Sequence, residues 1–204
     1  MANNMTSRMA HLLGELRREM NGAVVGSMRY YGTEYGLNYG VSIPTIRGLG
    51  RNETKDHSFA KYLYQQQIRE LQMVSLWFAE AEKVAHELDF WSRGIINSEI
   101  AEEAAFVVFN KVPAVAEWLM TDSELLQYCA VMSLAGQPQI ELNTLQPQLI
   151  KLLESDPSLL PKAIIILLDR ALRSENKELI TSFLDAMPQN GACNNIREEI
   201  AWRM

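Results

Sequence analysis

Apolar residues recur three and four positions apart along most of this chain, in short runs cut by polar breaks, and nowhere do they alternate with period two between hairpin turns. That spacing constrains the fold more than any other feature. A segment with a 3.6-residue apolar period is a helix with one stripe to bury, and a chain of such segments can bury them only against one another. Met9, Leu12, Leu13 and Leu16 mark a first helix over 5–20, closed near Gly22, and a short helix over 24–31 follows. Gly32, Gly36 and Gly40 supply turns, and Pro44 sits where the next helix opens, its missing N–H being unpaired in any first turn. Beyond the polar break 52–58, the residues from Phe59 to Val84 support two helices, the second running to about residue 87. Further helices are expected over 90–95, 100–109, 113–120, 125–135, 142–153, 159–172, 179–187 and 196–202.

Helix starts are marked chemically. Thr121-Asp122-Ser123-Glu124 has the capping-box pattern, and Ser155-Asp156-Pro157-Ser158 precedes a helix with Pro161 still in its first turn. The helices pair at an interval of about 30–40 residues, as in HEAT-type arrays. The expected fold is therefore all-α: an α-α superhelix of HEAT-like (armadillo-type) repeats, one curved solenoid domain over residues 1–204. At 204 residues with 48% hydrophobic and 22% charged content, such a domain can build a sizeable core.

Several functional classes are excluded by what is missing. Arg8, His11 and Glu15 interrupt the apolar residues at the start of the chain, so no signal-peptide pattern forms there. The longest apolar run, from Ala163 to Leu168, is far short of a membrane span. Cys129 and Cys193 lie far apart with no pairing pattern, which fits a reducing compartment. A cytoplasmic protein without a membrane role is expected. His11, His57 and His86 lack ligand spacing, so no metal or other cofactor is expected, and Gly48-Leu49-Gly50 has no preceding strand to make it a nucleotide loop.

Charge is divided along the chain. Residues 1–69 hold nine Lys/Arg against five Asp/Glu, whereas 70–204 hold ten against twenty, within a net charge of −6. Any phosphate-binding face must be drawn mainly from the basic first third, and the acidic remainder suits a basic protein partner better.

One joint carries more information. Met28-Arg29-Tyr30-Tyr31-Gly32, continuing through Tyr39-Gly40-Val41-Ser42-Ile43-Pro44-Thr45-Ile46-Arg47, runs from an aromatic helix end through glycine turns into a Pro-initiated helix bearing an arginine. This joint resembles that of the AlkD-type DNA alkylation repair family, the HEAT-like repeat alkylpurine DNA glycosylases. Downstream, 71–87, Pro161-Lys162-Ala163-Ile164 followed by Arg170, and Asn195-Ile196-Arg197-Glu198-Glu199-Ile200 resemble later helices of the same family in the same order.

The resemblance implies hydrolysis of the bond between an alkylated purine and its sugar. The family's site is a Trp-Asp-x-x-Asp run, an Arg one repeat later and a further Trp, with the second Asp stabilising positive charge that develops on the sugar. Here the run falls at Ser98-Glu99-Ile100-Ala101-Glu102, the Arg position at Tyr128 and the later Trp position at Ile166. The chain thus reads as a divergent DNA alkylation repair protein, binding DNA with little or no glycosylase activity. A protein-interaction scaffold, and an active glycosylase using Glu102, remain as alternatives.

Individual residues carry two readings each. Glu102 is either a displaced catalytic carboxylate or, with Glu99 and Glu103, a negative charge near the start of a helix capped by Asn97 or Ser98. Arg47, Arg51 and Lys55, four residues apart, read as one helix face that contacts phosphates, with Arg29 and Lys61 nearby, or as a solvated face. Tyr30, Tyr31, Tyr35 and Tyr39 either stack on bases or pack a turn. Trp77, Trp91, Trp118 and Trp202 read as core.

Overall fold

The computed structural model describes residues 2–33, 35–173 and 177–204, and side chains from residue 4 onward. Among these residues the secondary structure is helical, and the extended pairing is confined to one isolated bridge between Leu37 and Ile68. The HEAT-like all-α expectation is met. The chain forms two compact units, Met1–Val108 and Phe109–Met204.

The first unit holds α1 (Ala2–Arg18), α2 (Gly22–Tyr30), α3 (Ile43–Arg51), α4 (His57–Tyr64), α5 (Arg69–Phe78), α6 (Ala81–Ala85), α7 (Leu88–Ser92) and α8 (Ser98–Val107). Its centre is α5, which packs against α3, α4 and α8. Leu71, Met73, Val74 and Leu76 of α5 are fully buried with Ile46, Leu63 and Ile100. A helix surrounded in this way is buried on nearly every side, and its polar residues Arg69, Glu70, Gln72 and Ser75 are enclosed along with the apolar ones.

The expected long helix 71–87 is two helices. Ala79 is extended, with ψ 142°, and the break is held from outside: the Asp56 N–H donates to the Phe78 carbonyl at 3.0 Å and the Glu80 N–H to His57 Nδ1 at 3.3 Å. Those bonds satisfy backbone groups that continued helix would otherwise use.

The second unit holds 3₁₀ turns at Phe109–Lys111 and Pro113–Met120, then α9 (Glu124–Ala135), α10 (Leu142–Leu153), α11 (Leu160–Leu172), α12 (Lys177–Ala186) and α13 (Gly191–Ala201). Helix α11 packs on α9 and α13 and buries Ile164, Leu167 and Leu168. Residues 113–120 wind as 3₁₀ rather than α helix. Val115 and Trp118, three apart, then share the buried face, and the Leu119 carbonyl is taken by Gln148 Nε2 at 3.0 Å.

The capping box is shifted as well. Ser123, not Thr121, is the N-cap of α9, accepting the Leu126 N–H, and Glu124 reaches across to accept the N–H groups of Leu159 and Leu160 at the start of α11. A local signal has been taken over by a tertiary contact. Trp91 and Trp118 are core, as expected, but Trp202 is 91% exposed at the end of α13.

Candidate functional site

Helix α3 is started by Ser42, whose hydroxyl accepts the Thr45 N–H, with Pro44 in the first turn. It presents Arg47 and Arg51 one turn apart and ends at Arg51. The helix face expected to carry three cations therefore carries two. Lys55 lies beyond the helix and donates to the Trp77 carbonyl at 2.7 Å.

Both arginines meet aromatic rings from neighbouring helices. The Arg51 guanidinium lies 5.2 Å from the ring centre of Trp77 on α5, and that of Arg47 lies 4.4 Å from Phe106 on α8. Phe106 is half exposed, and Trp77 is partly exposed. Glu103 ties the arrangement together from beneath. It is nearly fully buried and accepts Arg47 Nε at 3.1 Å, Arg47 Nη2 at 2.8 Å and Trp77 Nε1 at 3.3 Å. A bidentate pair of this kind fixes the guanidinium plane, which leaves one face of Arg47 on Phe106. Gly50 makes the approach possible, since a Cβ there would fall 2.4 Å from Trp77 Cγ. The result is a strip running Arg51, Trp77, Glu103, Arg47, Phe106 across α3, α5 and α8. Alternating cations and flat rings can contact phosphates and unstacked bases.

Glu102 is half-buried on α8, one helical turn before Phe106. Asn97 is the cap of this helix, its Oδ1 accepting the Ile100 N–H at 3.1 Å. Ser98 is the first helical residue, and Glu99 lies in the first turn. Arg29 is exposed near the end of α2, away from the α3 cations in the chain. In the second unit Tyr128 is buried in α9, and Ile166 is 38% exposed on α11.

A second polar cluster had no signal in the sequence. Arg69 and Glu70, adjacent at the start of α5, are 2% and 0% exposed and pair at 3.0 Å. Arg69 also forks onto Glu99 and donates to the Val41 carbonyl at 2.8 Å. Glu70 accepts the Tyr39 N–H at 3.1 Å and the Val41 N–H at 3.3 Å. Tyr35 donates to Glu99 at 2.6 Å. Burial and then the Glu99 charge push the Tyr35 phenol far above its ordinary range, so it remains a donor. Burial alone would lower Arg69, but the bonds and charges of Glu99 and Glu70 hold it above its ordinary value. The cluster clamps the loop 35–41 onto α5. It is built to hold backbone, not to meet a ligand.

Among the described residues, no helix is long and apolar enough to cross a membrane, and no three His, Cys, Asp or Glu side chains converge as a metal-ligand set.

No family model matches the chain, and no curated protein matches it. Among solved structures, it is similar to one described as a new family of proteins related to the HEAT-like repeat DNA glycosylases with affinity for branched DNA structures. The TM-score is 0.70 over 95% of this chain and 94% of the other, at 11% sequence identity. That likeness shows the fold: a HEAT-like repeat array of the kind the sequence motifs resembled.

Proposed function

We propose that this protein binds DNA, with preference for branched over continuous duplex, and does not excise bases efficiently. The observation that carries the reading is the Arg51–Trp77–Glu103–Arg47–Phe106 strip, set in a fold shared with a protein of branched-DNA affinity. Arg51 offers a charge to phosphate, while Phe106 offers a ring face to a base that has left its stack. A branch point supplies both together, because bases at the crossing are more easily unstacked than those inside a duplex.

The reading of weak catalysis rests on chemistry at four positions. Ser98, Tyr128 and Ile166 stand where the family resemblance implies Trp, Arg and Trp, and none of them can supply indole stacking or a guanidinium. Glu102 is one methylene longer than the implied Asp, and a displacement of about 1 Å can cost on the order of 100-fold in rate.

The test is fluorescence anisotropy of labelled four-way junction and matched duplex, titrated with salt. Tighter binding to the junction, with affinity falling steeply as salt rises, is expected. Absence of binding at low salt overturns the reading and turns attention to a basic protein partner for the acidic residues 70–204. Release of methylated purines by the wild type that is lost in Glu102→Gln would overturn the non-catalytic half.

A further inference from the structure

Helix α2 buries none of its residues, yet it is apolar, and its end carries two of the most exposed aromatic rings in the described chain. Tyr30 is 84% exposed and Tyr31 78% exposed; Met20 and Val24 on the same segment are 56% and 36% exposed. We infer that Tyr30 and Tyr31 form a stacking platform for unpaired bases at a DNA branch point. The inference rests on the DNA-binding reading above and adds a second contact, distinct in residues from the α3–α5–α8 strip.

Three observations carry it. First, the rings are paired on a fixed backbone. The two rings meet edge to face, with centroids 5.1 Å apart and planes at 88°. The helix end beneath them is locked by paired bonds: the Gly32 N–H donates to the Arg29 carbonyl at 3.1 Å and the Thr33 N–H to the Met28 carbonyl at 2.9 Å, with Gly32 at φ +76°. This is the Schellman arrangement, which satisfies the last carbonyls and fixes the backbone at the helix end. With the backbone already fixed, binding has only the ring torsions left to order.

Second, α2 is braced from the interior. The Asn21 N–H donates to the Tyr39 carbonyl at 2.9 Å, and Met28 Sδ accepts Asn38 Nδ2 at 3.3 Å. The loop making those contacts is the one clamped by buried Glu70 and Arg69. A buried ion pair thus supports, through this loop, a helix none of whose residues is fully buried.

Third, the segment is charged to suit a nucleic acid. Within residues 17–31 there are three arginines, Arg17, Arg18 and Arg29, against one acid, Glu19. All three arginines are exposed, and Arg17 is tied to the Tyr39 hydroxyl at 3.3 Å. Perpendicular rings on a segment rich in exposed arginines suit flat, splayed bases with their phosphates; a duplex, with its bases stacked and paired, offers only the phosphates.

The experiment uses the full chain, a four-way junction carrying 2-aminopurine at the crossing, and a duplex of matched arm sequence. Wild type and Tyr30→Phe/Tyr31→Phe are expected to quench the 2-aminopurine. Tyr30→Ala/Tyr31→Ala is expected to abolish quenching and weaken junction binding about ten- to a hundredfold, while duplex binding changes less than about twofold. If wild type binds the junction and the alanine variant matches it in affinity and quenching, the platform is wrong and the DNA reading stands. If wild type binds neither DNA, both fall together. A dimer that dissociates in the alanine variant also overturns the inference, because a second copy then covers this face. Helical circular dichroism checks that the variants fold, as two exposed rings should permit.

Discussion

Arg47 and Glu103 form a fork-to-carboxylate pair across α3 and α8, and only the arginine half of it reaches solvent: its side chain is 32% exposed, that of Glu103 3%. The asymmetry makes the two partners unequal under mutation. Arg47→Ala strands a buried carboxylate that keeps the Trp77 indole N–H as a donor but loses its cation, and is expected to cost about 3–5 kcal/mol. Glu103→Gln leaves an arginine able to turn towards water and is expected to cost about 1–3 kcal/mol. Urea unfolding of both variants checks the order; a reversed order would show that Glu103 is not the buried anchor.

Arg51 separates binding from stability. It is exposed and held by the Trp77 ring, so Arg51→Ala is expected to change stability by less than about 0.5 kcal/mol. DNA affinity is expected to fall, with the slope of log affinity against log salt reduced by about 1. An unchanged slope would remove Arg51 from the interface.

Glu70 is fully buried and answers Arg69 and two backbone N–H groups at once. Glu70→Gln removes the charge that balances Arg69 from within α5 and is expected to cost at least about 3 kcal/mol. Hydrogen exchange at the Tyr39 and Val41 amides is expected to accelerate more than at α9, which belongs to the other unit. Equal acceleration everywhere would mean global destabilisation and no local clamp.

Gly40 has φ +71°, and a Cβ there would lie 2.2 Å from the Asn21 carbonyl oxygen, a backbone atom that cannot swing aside. Gly40→Ala is therefore expected to cost more than about 1 kcal/mol and to loosen α2. Thermal unfolding compared with Gly48→Ala, where an added Cβ meets open space, makes the control.

Acid should weaken the first unit before the core is challenged. The Arg8 guanidinium, 2.6 Å from Asp56, holds that carboxyl below its ordinary range, and Lys61 and then His57 do the same for Glu87. A carboxyl depressed in the folded state contributes stability that is complete above its unfolded value, about 4, and is lost as pH falls through the folded value. Stability is thus expected to drop below about pH 4. The Asp56→Asn/Glu87→Gln variant should be less stable at pH 7 and flatter across that window, as urea midpoints at several pH values will show.

The sequence by itself determined the helical class, most helix boundaries and the local caps, because these depend on neighbours within one or two turns. The apolar stripe of α1, the Ser42–Pro44 start of α3 and the Asn97 cap of α8 all stand where their residues put them. It also concentrated basic charge in the first third. What it could not give was the use of each charge and ring. Arg69 and Glu70 carry the same residue types as any exposed helix start, and only the packing of α3, α4 and α8 around α5 sends them inside. Glu124 has the spacing of a capping residue, but the nearness of α11 offers it two unpaired N–H groups and it goes there. Tyr30 and Tyr31 read either as turn packing or as base-stacking rings, and Trp202 as core; their exposure follows from which helices come to cover them, a matter of tertiary contact that no local spacing encodes.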